Sequence, residues 1–165
     1  ESEIHKIQLY YGIVNEIIRN IKDNIDPSKQ SHVFIEGYSY SSITGPLIDL
    51  VTFGTLLRFR IIQEITHSVK IIPPSTLKQS AAMLTYPAIK NKSKIEYRNK
   101  SGISGGKFTK TEMLLCLTDN IELHNDPWVV YLLDNLDELS QSKNVPKPIE
   151  DLNDAKLLYE CYKVL

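Results

Sequence analysis

The stretch His32-Val33-Phe34-Ile35-Glu36-Gly37-Tyr38 limits the folds open to this chain more than any other. Its apolar residues favour an extended strand, and a carboxylate, a glycine and an aromatic follow at once. It reads as a buried strand that delivers Glu36 to a sheet rim, with Gly37 letting the chain turn away. Upstream, Ile4, Ile7, Tyr11, Val14, Ile17, Ile18 and Ile21 form an apolar stripe, which predicts a helix over 3–22. Downstream, Ile43, Leu47, Leu50, Val51, Leu57 and Ile61 predict a helix over about 43–65, with Pro46 in its first turn. Ser39, Ser41 and Ser42 are placed to cap it. Gly54, costly inside a helix, is expected where another backbone comes close. Val69–Ile72 is a second strand, stopped by Pro73-Pro74. Strand, helix and strand in this order predict a parallel pair and an α/β fold.

Beyond this unit the pattern changes. Ser75 can cap a short helix through Met83. Residues 85–106 show no periodicity and carry Lys90, Lys92, Lys94, Arg98 and Lys100 against one acid, Glu96, so a mobile basic loop is expected. Helices are predicted over 107–118 and 127–140. Asn144 to Pro148 reads as a connector, and a closing helix runs from 151 with Ala155, Leu158, Tyr159 and Tyr162 on one face. A chain of 165 residues has room for one core, so a single domain over 1–165 is expected. No apolar run approaches the roughly 20 residues of a membrane span. Cys116 and Cys161 are isolated among apolar neighbours, which implies reduced core thiols and an intracellular setting. With a net charge of −1, affinity for nucleic acid must come from local clustering of cations.

Three carboxylates stand out. Glu36 lies at the carboxyl end of a strand, where open α/β sheets place their ligands. Asp151 and Asp154 are i and i+3 on a helix, hence on one face, although acids near a helix start are also ordinary dipole partners. Together they offer the oxygen donors of a hard cation such as Mg²⁺, and no histidine or cysteine set competes. The lysines of the basic stretch suit phosphates, and Tyr86 and Tyr97 suit bases, although a solvated charged loop is the plain alternative. Lys78 and Lys110 sit on helices after core elements. His32 and His67 lack a partner acid, and Gly102 to Gly106 lacks the Gly-Lys-Ser/Thr order of a Walker motif.

In order along the chain, Phe34-Ile35-Glu36, the Gly54-bearing helix, Val69-Lys70-Ile71-Ile72-Pro73 with Leu77-Lys78, Gly105-Gly106-Lys107-Phe108-Thr109-Lys110 and Asp151-Leu152-Asn153-Asp154-Ala155 resemble the RuvC-type crossover-junction endodeoxyribonucleases of the ribonuclease H-like superfamily. The resemblance implies a mixed sheet flanked by helices and a homodimer acting on branched DNA. It implies Mg²⁺, with Mn²⁺ as a substitute, held by Glu36, Asp151 and Asp154. Lys110, or less directly Lys107 or Lys78, would offset transition-state charge. Tyr38 or Tyr40 would serve as the aromatic that wedges the junction. DNA would run over Lys78, Lys90, Lys92, Lys94, Arg98, Lys100 and Lys107. The family's first catalytic aspartate lies on a strand ahead of the position of Glu1, so that strand and its hairpin are expected to be missing from this stretch. The long spacing between Pro73 and Asp151 is more similar to a divergent phage or viral relative than to bacterial members. A ribonuclease H-like nuclease for forks or flaps, and a DNA-binding derivative without catalysis, are the alternative expectations.

Overall fold

The computed structural model describes residues 2–38, 45–91, 94–141 and 145–162. The chain falls into two compact units, Glu1–Ile71 and Ile72–Leu165. Helix and strand occur in both, so the expected mixture of α and β structure is observed.

The first unit contains α1 (Glu3–Asn24), β1 (Val33–Glu36), α2 (Gly45–Glu64) and β2 (Val69–Ile72), the last strand reaching the unit boundary. Ser2 caps α1 by accepting from the His5 amide, which satisfies one orphan donor. The two helices pack together. Val14, Ile18 and Ile61 form the buried cluster, with Val33, Ile35, Phe53, Leu57 and Val69 packed around it. Burying each such side chain contributes about 1.5–3 kcal/mol. β1 and β2 pair as a two-stranded sheet. The Val33 amide donates to the Ser68 carbonyl (2.9 Å), and the Thr66 hydroxyl donates to the Ser31 carbonyl (2.8 Å). Both strands thus start at the same end, as a parallel pair requires.

Two expectations for this unit change. The apolar stripe of α1 is only half used, because Ile4 and Ile7 are 70% and 52% exposed. The N-terminal half of α1 meets the start of α2 through Lys6 with Asp49 (3.4 Å) and Tyr10 edge-on to Phe53 (5.8 Å). Those contacts cover one side of the stripe; the sheet-side cluster covers Val14 and Ile18. Gly54, in turn, makes room for a side chain and not for a backbone. A Cβ there would overlap the Tyr38 hydroxyl, which donates to the Leu50 carbonyl (3.2 Å) and accepts from Arg58 Nη2 (2.9 Å). The capping serines at 39, 41 and 42 lie outside the described residues.

The second unit contains α3 (Pro74–Thr85), β3 (Ala88–Asn91), β4 (Lys94–Tyr97), α4 (Lys110–Asp119), α5 (Pro127–Asp134), α6 (Leu136–Gln141) and α7 (Lys147–Cys161). Short 3₁₀ turns stand at Gly105–Lys107 and Ile121–Leu123. α3, α4 and α7 pack against one another and bury Leu77, Ala81, Leu114, Leu117, Leu157 and Cys161. Gly105 lies against α3 so closely that a Cβ would come within 2.5 Å of the Ala82 methyl.

Here the sequence-based boundaries need four corrections. The expected loop over 85–106 contains an antiparallel hairpin, with Ala88 opposite Tyr97 and Asn91 opposite Lys94. Arg98 and Ser104 add a bridge. Ile89 and Ile95 are both exposed, so no buried face imposes the alternation that reveals a strand. α3 begins at Pro74 with Pro73 as its N-cap, not at a Ser75 cap, since proline fits a first turn whose N–H groups need no helical partner. The helix expected over 127–140 breaks at Asn135, whose side-chain Nδ2 donates to the Tyr131 carbonyl (2.8 Å) and competes with the helical ladder. Finally, α7 starts at Lys147, with Pro148 in its first turn. Its buried face is Asn153, Asp154, Leu157, Glu160 and Cys161, while Tyr159, on the apolar face read from the sequence, is 60% exposed. A buried face this polar escapes a search for apolar periodicity.

Candidate functional site

The start of α4 and the first turns of α7 meet in the second unit. A capping box between Thr109 and Glu112 fixes where α4 begins, the Thr109 amide donating to the Glu112 carboxylate at 2.7 Å. That makes Lys110 its first residue. A cation there opposes the helix dipole and needs anions nearby. Two supply them: Lys110 Nζ donates to Asp154 Oδ2 at 2.5 Å and lies 3.2 Å from Glu150 Oε1. Asp154 is buried and Glu150 half-buried. Asp151 faces outward and pairs with Lys147 at 2.8 Å. Three carboxylates therefore surround two ammonium groups.

This arrangement differs from the one read in the sequence. Asp151 and Asp154 take separate lysines, and the carboxylate that joins Asp154 around Lys110 is Glu150. Its i, i+4 spacing to Asp154 puts the two on one face, but that signal only becomes usable once α7 is known to begin at Lys147. Glu36 ends β1 in the first unit and is half-buried. Among the described residues no three histidine, cysteine, aspartate or glutamate side chains are gathered to hold a metal ion. Glu36, Asp151 and Asp154 carry the oxygen donors that Mg²⁺ takes, while the two aspartates are already engaged by lysines.

The cations expected to meet DNA divide into two groups. Arg98 is committed to Glu96 (2.7 Å) and to the Gly102 carbonyl (3.1 Å), and Lys100 to Asp119 (2.5 Å). Asp119 also accepts from the Tyr86 hydroxyl at 2.9 Å, and burial in particular raises the pKa of that phenol. Lys78, Lys90, Lys94 and Lys107 make no ion pair with any described residue. Lys92 and Tyr40 lie outside the described residues. Tyr38 is held on α2, with the Arg58 guanidinium 5.1 Å from its ring centroid.

A second polar network joins α5 to α7. Asp126 caps α5 by accepting from the Trp128 and Val129 amides (3.0 and 3.3 Å) and also binds Lys156 (2.5 Å). Lys156 reaches Glu160, 3% exposed, at 2.9 Å. Its hydrogen bond is the main reason the Asp126 carboxyl stays below the usual range. Trp128 Nε1 donates to Asn153 Oδ1 at 3.0 Å. Both cysteines are free and buried, as expected. Burial pushes the Cys116 thiol up and the Cys161 thiol to about 12, so neither supplies a nucleophilic thiolate near neutral pH. No described helix is long and apolar enough to cross a membrane. Comparison of the chain with family models, curated proteins and solved structures finds no match.

Proposed function

We propose that the protein is a structure-specific endonuclease that hydrolyses phosphodiester bonds in branched DNA, four-way junctions above all. The observation that carries this reading is the union of Lys110 with Asp154 and Glu150, from segments 44 residues apart. Those are the segments that the resemblance to RuvC-type nucleases assigns to one site. On this reading β1 and β2 belong to a ribonuclease H-like sheet flanked by α2, the protein acts inside the cell as a homodimer, and the two-fold axis matches the two equivalent strands of a junction.

Glu36, Asp151 and Asp154 are the residues that would hold Mg²⁺, or Mn²⁺ in its place. When bound, the ion supplies Lewis acidity and charge neutralisation at the phosphate. Lys110 contacts the phosphate oxygens, where its ammonium offsets the charge that builds up during hydrolysis. Lys78, Lys90, Lys94 and Lys107 hold phosphates along the strands. The test is a panel of synthetic junction, fork and duplex substrates with the full-length protein and Mg²⁺. Selective cutting of the junction supports the proposal, and equal cutting of forks or flaps replaces it with a related nuclease. One observation favours a second reading: the lysines on Asp151 and Asp154 suit a DNA-binding scaffold without catalysis, which binds junctions and yields no cleaved product.

A further inference from the structure

We propose that the outer edge of β4 is a docking site for an extended acidic segment of a partner protein, which adds to the hairpin as a third strand. This assignment goes beyond the nuclease reading and does not rest on it; the acidic segment and DNA would compete for Lys90, Lys94 and Lys107.

The observation is a groove of about 480 Å³ on the second unit. One wall is Thr76, Gln79, Ser80 and Met83, at i, i+3, i+4 and i+7, hence a single face of α3. The other wall is all four residues of β4, Lys94 to Tyr97, and none of β3. Side chains alternate between the two faces of a strand. A groove lined by four consecutive residues therefore runs along the strand's edge. Among the described residues β4 pairs with β3 alone. In an antiparallel pair, alternate residues point their N–H and C=O away from the partner, so β4 presents backbone donors and acceptors to this space. An open edge of that kind is a template for another strand. Ser104, bridged to Arg98, and Gly105-Gly106 close one end. About 10 Å of helix face and a similar length of strand leave room for three or four extended residues.

Charge selects the occupant. Lys94 lines the groove, and neither it nor the nearby Lys90 and Lys107 makes an ion pair with any described residue. The one carboxylate in the lining, Glu96, is bound to Arg98 at 2.7 Å. The surplus is positive, which suits an acidic segment. A peptide backbone answers both the donors and the acceptors of the edge, whereas a phosphodiester backbone offers acceptors alone, so within the groove the β4 edge favours a peptide over DNA.

The test uses the full chain and two short fluorescein-labelled peptides, one alternating valine with aspartate and one alternating valine with lysine. Fluorescence anisotropy should show binding of the acidic peptide alone, weakened by about tenfold or more in Lys94→Glu. Gln79→Trp, at an exposed position, should fill the groove and give the same loss in a folded protein. Hydrogen exchange should show new protection of β4 amides when the acidic peptide is added. Equal binding of the two peptides overturns the proposal. So does binding without protection of β4, and so does a short single-stranded oligonucleotide that binds with the same sensitivity to Gln79→Trp.

Discussion

The two units bury their apolar residues in different ways. In the first, the fully buried described side chains are Val14, Ile18 and Ile61, while Ile4, Ile7, Ile48 and Phe59 stand exposed. In the second, Leu77, Phe108, Leu114, Leu117, Leu132 and Leu157 are all nearly or wholly inaccessible. Three helices in mutual contact enclose a side chain from several directions, whereas two helices beside a two-stranded sheet cover each stripe from one. The polar residues follow the same division. Asp154, Glu160 and Asn153 are buried in the second unit, and Glu36 is only half-buried in the first.

Breaking the second unit's charge network should have the largest effect. Lys156→Met removes the cation that bridges Asp126 and the buried Glu160 and should cost about 3–5 kcal/mol in chemical denaturation. A cost under about 1 kcal/mol would mean that the network is solvated. Next comes packing: Leu114→Ala should cost about 2–5 kcal/mol, against about 0.5 kcal/mol or less for the exposed Ile7→Ala. Similar values for the two would erase the contrast between the units. Gly54→Ala sharpens it from the other side. In an open helix this change gains about 1 kcal/mol, but here the new methyl meets the Tyr38 phenol, and a loss of about 1–3 kcal/mol is expected. Adding Tyr38→Ala should reverse the sign, and a stabilising single substitution would show that Tyr38 does not lie on α2.

The smallest effect is on pH. The Asp126 carboxyl has its pKa lowered in the folded state, chiefly by Lys156. Its contribution is therefore complete above the unfolded carboxylate value and is lost as pH falls through the lower folded one. Acidification below about pH 4 should loosen α5 from α7, read as a change in Trp128 fluorescence. Lys156→Met should remove that transition, and an unaltered transition in the variant would assign it to other groups.

How far these features could be read in the sequence depended on what each residue touches. β1, α2 and β2 were legible because Val33, Ile35, Leu57, Ile61 and Val69 pack on one core and keep a strand or helix period, although Leu50 and Val51 of the predicted stripe are exposed. The β3–β4 hairpin was not, since Ile89 and Ile95 are exposed and lysines fill the remaining positions. The start of α7 was hidden by Pro148, which suggests a connector as readily as a first helical turn. With it were hidden the Glu150 contact to Lys110 and the polar face through Asn153, Asp154 and Glu160. Lys110 and Asp154 were both legible as candidates by resemblance, but their direct pairing depends on α4 and α7 packing together, which no local pattern encodes.

The central claim is that the Asp154 and Lys110 cluster belongs to a DNA-cutting site. The most direct measurement follows a synthetic four-way junction with the full-length protein and Mg²⁺, comparing the native chain with Asp154→Asn and recording binding in the same samples. The account predicts cleavage by the native protein, none by the variant, and similar binding by both. Undiminished cleavage by Asp154→Asn would contradict it, as would a native protein that binds Mg²⁺ and the junction and never cuts.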